Sequence, residues 1–491
     1  MDPFIMAHLS QKETLIRRRS KLRTKINTQT EFDFQPFKLK LTRQYYQKYE
    51  TITKVLDDNH QVVDLIHHDL KKALKSVNSQ SSDSTRFVYT SDTILRILLS
   101  QVIEGESLRG IIIRIDDSHY LRRFVRIYNG PMLDYTTLCK LKNSIRPATW
   151  EKVNKALAQY AVRNEMISGE ALRLDTTAVE TNIHWPTDSS LLWDVYRVLA
   201  RLIEQARDFD PQVVGHRRLH RRRVKRLHTR IARKATKKPG STAKLKPLYE
   251  RLIEHVEGIC DWSASIGNGL KKGKKPKGKS PFQRAWVTVL IEEIENYRTL
   301  GMHVVDQAWR RVICGEQVPN EEKLYSIFEP HTELLKRGKA GKPIEFGHMI
   351  QIQQVQEKFI TDYTVFKSKP VEHQLLKPAL KSHKKLFGEY PNELSADKGY
   401  YESMDAIHQL SQKIETVSIA KKGRRTEEEA QREADPVFRH AQRFRAGVEG
   451  TISFMKRVLG LFRAFSKGWE HFVSTVATTI FAHNLLILAR C

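Results

Sequence analysis

Three acidic residues, Asp175, Asp397 and Glu449, stand where carboxylates can do chemistry beyond carrying surface charge. The run EALRLDTTAVETNI alternates and is rich in β-branched residues, so it reads as a strand with Asp175 near its end. NELSADKGYY reads as a buried strand ending at Asp397, just before the turn Lys398–Gly399–Tyr400. Glu449 lies in a helical stretch after the last strand. At about 100° per residue, Gln442, Arg445, Glu449 and Lys456 share one narrow face, beside an apolar stripe of Phe444, Val448, Ile452 and Met455. Acids delivered by adjacent strands and a nearby helix can hold two divalent cations about 4 Å apart, the arrangement phosphodiester chemistry uses. Hard ions such as Mg2+ or Mn2+ take oxygen ligands. Spacing alone leaves a rival open: Arg445 and Glu449 sit four residues apart, as in a row of surface ion pairs.

The elements that must position these acids follow a recognisable order. After the strand carrying Asp175 come the strands PIEFGHMIQIQQV and KFITDYTVFKS, the helix HQLLKPALKSHKKLF, the strand ending at Asp397 and the strand KIETVSIA. From about residue 436 the chain is helical. With a long insert removed, this predicts an α/β domain, a ribonuclease-H-like mixed sheet with flanking helices, over 168–187 and 341–491. Residues 1–86 read as an N-terminal helical region. Residues 87–167 read as an all-α, helix-turn-helix-like DNA-binding domain, in which Asp134 or Thr136 caps a short helix ending near Ile145; an ordinary helical bundle is the alternative. Residues 188–340 read as a basic helical insertion, with helices near 282–299 and 302–313 and a Lys/Gly-rich linker, LLKRGKAGKP.

Charge identifies the class of partner. The 491 residues carry a formal net charge of +28, and the apolar share of 40% suits a folded chain. Residues 211–280 contain 21 Lys or Arg against 4 Asp or Glu, about +17 in one segment. So one-sided a run repels itself unless a polyanion neutralises it. Arg221, Arg222, Arg223, Lys225 and Arg226 are its densest part and the expected contacts to a DNA backbone; a solvated helix face is the plainer reading. Four scattered cysteines make neither a zinc knuckle nor a disulfide framework. The N-terminus lacks the apolar core of a signal peptide, and the apolar stretch 472–489 carries enough Thr, His and Asn to read as a buried helix. The expectation is a cytoplasmic, nucleoid-associated protein with no membrane partner.

At this point a resemblance adds to the residues. Arg445-x3-Glu449-x6-Lys456 resembles the C-terminal signature Tyr-x2-Arg-x3-Glu-x6-Lys of bacterial insertion-sequence transposases. Asp397-Lys398-Gly399-Tyr400 is similar to that family's second motif, Asp-x-Gly-(Tyr or Phe), and Leu174-Asp175-Thr176-Thr177 to its first. Ser326–His348 looks like the family's lead-in to the second strand. The chain resembles the insertion-sequence-five superfamily of DDE transposases over roughly 90–200 and 320–490; the basic centre matches in character only. Gln442 stands where the family has Tyr.

The resemblance implies a transposase that binds transposon-end DNA and catalyses metal-dependent strand cleavage and strand transfer. Asp175, Asp397 and Glu449 would hold two Mg2+ or Mn2+ ions. Lys456 would contact a phosphate near the cut, and Arg445 would fix Glu449 or a phosphate. Tyr400 would stack on a base near the transposon end or pack inside. The partners would be double-stranded DNA, both transposon ends and target, and further copies of the chain as a homodimer or higher oligomer. The competing class is a catalytically inactive or domesticated transposase-derived DNA-binding protein; a junction-resolving nuclease of the same fold lacks the upstream helices and basic insert. His184 and His348 read as structural, Asp188 as an N-cap, and Trp262 and Trp286 as core residues more readily than base-stacking ones. No glycine pattern forms a phosphate loop.

Overall fold

The computed structural model describes residues 39–79, 88–235, 241–272, 280–339 and 342–490. The basic start (Arg17, Arg18, Arg19, Lys21, Arg23, Lys25) and the lysine-rich run over 273–279 lie outside the described residues. By its internal contacts the chain divides into two compact units: residues 1–180 with 348–491, and residues 181–347.

Among the described residues, the N-terminal part of the first unit forms seven helices: α1 (Lys40–Asp58), α2 (His60–Ser79), α3 (Ser91–Ile103), α4 (Leu108–Asp117), α5 (His119–Phe124), α6 (Tyr135–Ser144) and α7 (Pro147–Arg163). Their boundaries follow local chemistry. Thr90, Ser107 and Ser118 cap α3, α4 and α5 through their hydroxyls, each satisfying an amide that the first helical turn leaves without a partner. Asp134 caps α6 from Thr136 N, and the helix stops at Ile145, as the sequence predicts. α3 ends before Gly105, whose φ of +65° suits a residue without a side chain.

β1 (Ala171–Thr181) then runs into the second unit, which is helical: α8 (Asp188–Phe209), α9 (Pro211–Val214), α10 (Arg221–Lys234), α11 (Ser241–Lys272) and α12 (Pro281–Ala308), followed by a π-helical turn at Trp309–Ile313. The apolar stripe of α8 (Leu191, Val195, Val198, Leu199, Leu202) is buried in this unit's own core with Val224 and Ile231 of α10 and Leu252, Val256 and Ile259 of α11. Two expectations change here. The break expected near residues 300–301 is absent: α12 passes straight through Gly301, where a Cβ would collide with Val195 and crowd Cys260. That glycine permits close helix packing and is not a terminator. The supposed linker LLKRGKAGKP contributes β2 (Glu333–Lys339), paired antiparallel with the start of β3 (Lys342–Val355) from Glu333↔Gly347 to Lys339↔Lys342. Burial of Leu335, together with the backbone ladder, outweighs the loop-like composition.

The chain returns to the first unit within β3 and continues through β4 (Ile360–Val365), α13 (Leu376–Phe387), β5 (Glu393–Ala396), α14 (Met404–Ser411), β6 (Thr416–Ile419), α15 (Glu427–Ala434), α16 (Pro436–Arg457), β7 (Arg463–Ala464) and α17 (Trp469–Leu488). The result is a mixed α/β structure with a seven-stranded mixed sheet. Its path is β2-β3-β1-β5-β6, with β4 also paired to β3 and β7 to β1. β1, β5 and β6 are parallel neighbours, and the intervening helices supply the crossovers that parallel strands require. Leu172, Leu174, Leu394 and Ile419 pack on one side with Leu376 and Leu380 of α13 and Ile407 of α14. α17 is long and apolar enough, by length and composition, to cross a membrane, yet 83% of that window is buried inside the protein. Its Phe481, Ala482 and Leu485 share a core with α7 and the β3–β4 hairpin, and Asn484 hydrogen-bonds both backbone groups of Ile360.

Candidate active site

Asp175 and Asp397 meet because of strand register. β1 and β5 pair in parallel from Ala171↔Glu393 to Leu174↔Ala396, and the next residue on each strand is one of the two aspartates. The sequence reading puts Asp175 near the end of its strand, and the structure does not. Asp175 sits midway along β1, at the point where the pairing with β5 stops while β1 continues to Thr181 beside β3 and β7. Asp397 leads into a 3-10 turn at Lys398–Tyr400, with Tyr400 N donating to Asp397 O at 3.0 Å.

Glu449 comes from α16, whose Phe438, Ala441, Val448, Thr451 and Met455 are buried. That face draws the helix onto the protein and leaves Arg445 and Glu449 at its edge. Arg445 joins the three acids. Its Nη2 lies 3.0 Å from Asp175 Oδ2 and 3.5 Å from Asp397 Oδ1, and its Nη1 lies 2.9 Å from Glu449 Oε1. Of Arg445's two expected roles, the structure gives it the fixing of Glu449, and adds both aspartates. Gln442 donates to Ser418 O and Oγ on β6 at 2.8 and 3.0 Å.

The electrostatics are those of a carboxylate cluster short of positive charge. Burial pushes the Asp175 carboxyl up to about 6; Arg445 and the Thr176 amide pull it back, and the charges of Asp397 and Glu449 push it further up. Three acids and one guanidinium leave a formal excess of two negative charges at neutral pH. The donors are all carboxylate oxygens, and the Asp397 and Glu449 side chains are 47% and 66% exposed, open to an ion from solvent. In donor type and charge the set therefore fits hard divalent cations. In geometry it is gathered around Arg445: among the described residues, no group of three or more His, Cys, Asp or Glu side chains is close enough to hold a metal ion as it stands.

A fourth acid, Glu372, was not singled out by sequence. It begins the 3-10 turn Glu372–Leu375 and accepts a hydrogen bond from Thr176 Oγ1 at 2.6 Å. A Cβ on Gly399 would collide with its carboxylate. The glycine of the Asp-x-Gly motif thus makes room for Glu372, a relation between distant segments that no local pattern announces.

Tyr400 requires a correction. It is 1% exposed, packed among Leu172, Leu394 and Leu376, and its hydroxyl accepts from Gln351 Nε2 at 3.1 Å. Burial pushes its phenol far above the ordinary range. Of the two roles expected, packing is the one observed; the 3-10 turn directs the ring inward, where no base can stack on it. Lys456 lies two turns beyond Glu449 on α16, half-buried.

The basic segment forms α10, with eight Lys or Arg and no acid in 14 residues. Val224 and Ile231 anchor it, while Arg222, Arg223, Lys225, Arg226, Arg230, Arg233 and Lys234 are exposed. Arg221 departs from this group: its Nη2 is 2.6 Å from Glu204 Oε2, which already supplies its counter-charge.

Among the remaining candidates, His348 is fully buried against the rings of Trp469 and Phe472 (4.8 and 5.2 Å), and His184 pairs with Asp194 at 2.6 Å. Asp188 is not the N-cap. Thr187 caps α8 in a capping box with Ser190, and Asp188 is buried against Arg311 and Gln307. Trp262 is 9% exposed beneath Arg207 and Arg217. No family model, curated protein or solved structure matches the chain.

Proposed function

We propose that the chain is a DDE-type transposase, a metal-dependent DNA endonuclease and strand transferase with a ribonuclease-H-like catalytic domain. The observation that carries this reading is the convergence of Asp175, Asp397 and Glu449, from two adjacent parallel strands and a helix, on one guanidinium. The strand order β4-β3-β1-β5-β6, with β4 and β3 antiparallel and the last three parallel, supports it, as do the three spaced motifs. Asp175, Asp397 and Glu449 would hold two Mg2+ or Mn2+ ions, which when bound supply activation of the attacking oxygen and stabilisation of the leaving one. Arg445 holds Glu449 toward the aspartates, and Lys456 would contact a phosphate. The exposed cations of α10 follow the backbone of double-stranded DNA, setting affinity but not sequence. Water hydrolyses one strand at a transposon end and frees a 3′-hydroxyl, which then attacks a phosphodiester of the target. Two or more copies of the chain assemble on the paired ends.

Asp397→Asn tests the assignment. It removes a carboxylate but no DNA contact, so Mg2+-dependent strand cleavage of the DNA bounding the coding sequence is lost while binding to it persists. Cleavage at the wild-type rate would overturn the role of Asp397. A second reading, a transposase-derived DNA-binding protein without cleavage activity, is favoured by Arg445 filling the centre of the acids. Salt-dependent DNA binding by the wild type, with no cleavage in Mg2+ or Mn2+, would establish that reading instead.

A further inference from the structure

We propose that Arg173 is a positioning residue that fixes the rotation of α16 and so aims Arg445 and Glu449 at the two aspartates; this deepens the reading above and rests on it. Arg173 is 3% exposed and lies on β1 two residues before Asp175, on the same face of the strand. Its Nη1 donates to the Phe444 carbonyl at 2.7 Å, its guanidinium lies 4.7 Å over the Phe444 ring, and its Nε donates to Gln354 Oε1 on β3 at 2.8 Å. Gln354, fully buried, donates through Nε2 to Thr451 Oγ1 at 3.0 Å. Two strands therefore grip α16 at residues 444 and 451, two helical turns apart, and Arg445 and Glu449 lie between the grips.

Three features separate this from ordinary packing. Among the described residues Arg173 forms no ion pair, and its Nη2 has no hydrogen-bond partner, so a buried cation is kept where an apolar side chain of similar volume would cost less. Its reach to the helix backbone depends on Gly447, where a Cβ would collide with Nη1. The geometry it fixes is also steep: a slip of α16 by one residue turns Glu449 about 100° away from the aspartates, whereas an apolar contact would tolerate intermediate rotations. Hydrogen bonds are directional, so two such bonds at residues 444 and 451 favour one rotation of the helix.

The experiment uses the full chain and Mn2+ alone as probe, titrated by water-proton relaxation, with thermal stability and strand cleavage measured in parallel. Arg173→Met is expected to weaken Mn2+ binding and slow cleavage at saturating DNA by tenfold or more without lowering the melting temperature; Gln354→Leu should show the same losses together with a lower melting temperature, because it leaves the buried Arg173 Nε without its acceptor. Gln354→Glu, whose carboxylate can still accept from Arg173 Nε and from Thr451 Oγ1, which lies 3.3 Å from Gln354 Oε1, should keep near-wild-type binding. Should Arg173→Met fail to fold, Thr451→Val cuts the second grip with almost no change of shape and should show the same loss. Wild-type Mn2+ affinity in Arg173→Met or Gln354→Leu, or in Thr451→Val where the first does not fold, overturns the inference and leaves the transposase reading standing. Mn2+ binding by the wild type that Asp397→Asn does not alter overturns both.

Discussion

Replacing Asp175 with Asn should make the metal-free protein more stable at neutral pH. Asp175 is 7% exposed, and burial raises its carboxyl from 3.8 to about 6. A group whose folded pKa lies above its unfolded value contributes stability that is fully present below the unfolded value and lost as pH rises through the folded one. The wild type therefore loses stability between about pH 4 and pH 6. A shift of roughly two units at about 1.4 kcal/mol each amounts to about 3 kcal/mol at pH 7. Asn keeps the shape, accepts from Arg445 and removes the charge, while Glu449 and Asp397 remain to pair the guanidinium. Urea unfolding in a chelator, from pH 4 to pH 8, reads the outcome. The variant should gain about 3 kcal/mol over the wild type at pH 7, with the difference closing toward pH 4. A variant less stable than the wild type at pH 7, or a pH-independent difference, refutes the claim that the acid cluster stores uncompensated charge. Added Mg2+ should then stabilise the wild type and not the variant, since only the former offers the full set of carboxylates.

Three further outcomes follow from the second unit. Changing Arg222, Arg223, Lys225 and Arg226 together to Gln should weaken binding to every DNA sequence and shallow the log–log salt dependence by up to about 3–4, near 0.9 for each phosphate no longer neutralised; an unchanged slope in a filter-binding titration would mean that α10 faces solvent. Arg221→Gln, which loses mainly its pairing with Glu204, should leave that slope nearly intact. Gly301→Ala should cost about 1–3 kcal/mol by urea denaturation, the usual range for overpacking, because its methyl group meets the Val195 side chain. Neutral behaviour would show that α8 and α12 have room to separate.

What the sequence reveals and what it hides divide along physical lines. Asp134, Ile145 and the strands carrying Ile350–Val355 and Asp397 are legible because capping and apolar periodicity are local properties. The stripe on α16 is legible for the same reason, since Val448 and Met455 fall on one face whatever they pack against. Gly301 and Gly399 mislead or stay silent, because each answers to a side chain far away in sequence: Val195 for one, Glu372 for the other. β2 is hidden by its own composition, as Lys and Gly read as linker until a partner strand satisfies their backbone groups. Tyr400 looks available to DNA in a motif and is not, because only the packed structure says which side of a turn is inside.

The geometry around Arg445 bears on the plainest alternative, a row of surface ion pairs. An exposed i, i+4 Arg–Glu pair is worth only a few tenths of a kcal/mol, and nothing in it calls for a third or fourth charge. Here the same guanidinium is 15% exposed and is approached by Asp175 from β1 and Asp397 from β5 as well as Glu449. Register places those two aspartates side by side, and side-by-side carboxylates repel unless a cation lies between them. Arg445 supplies one positive charge where neutrality needs three, a deficit that the proposed divalent cations would fill. Fold stability offers no reason to assemble such a deficit from three separate elements; the proposed metal-dependent activity would supply one.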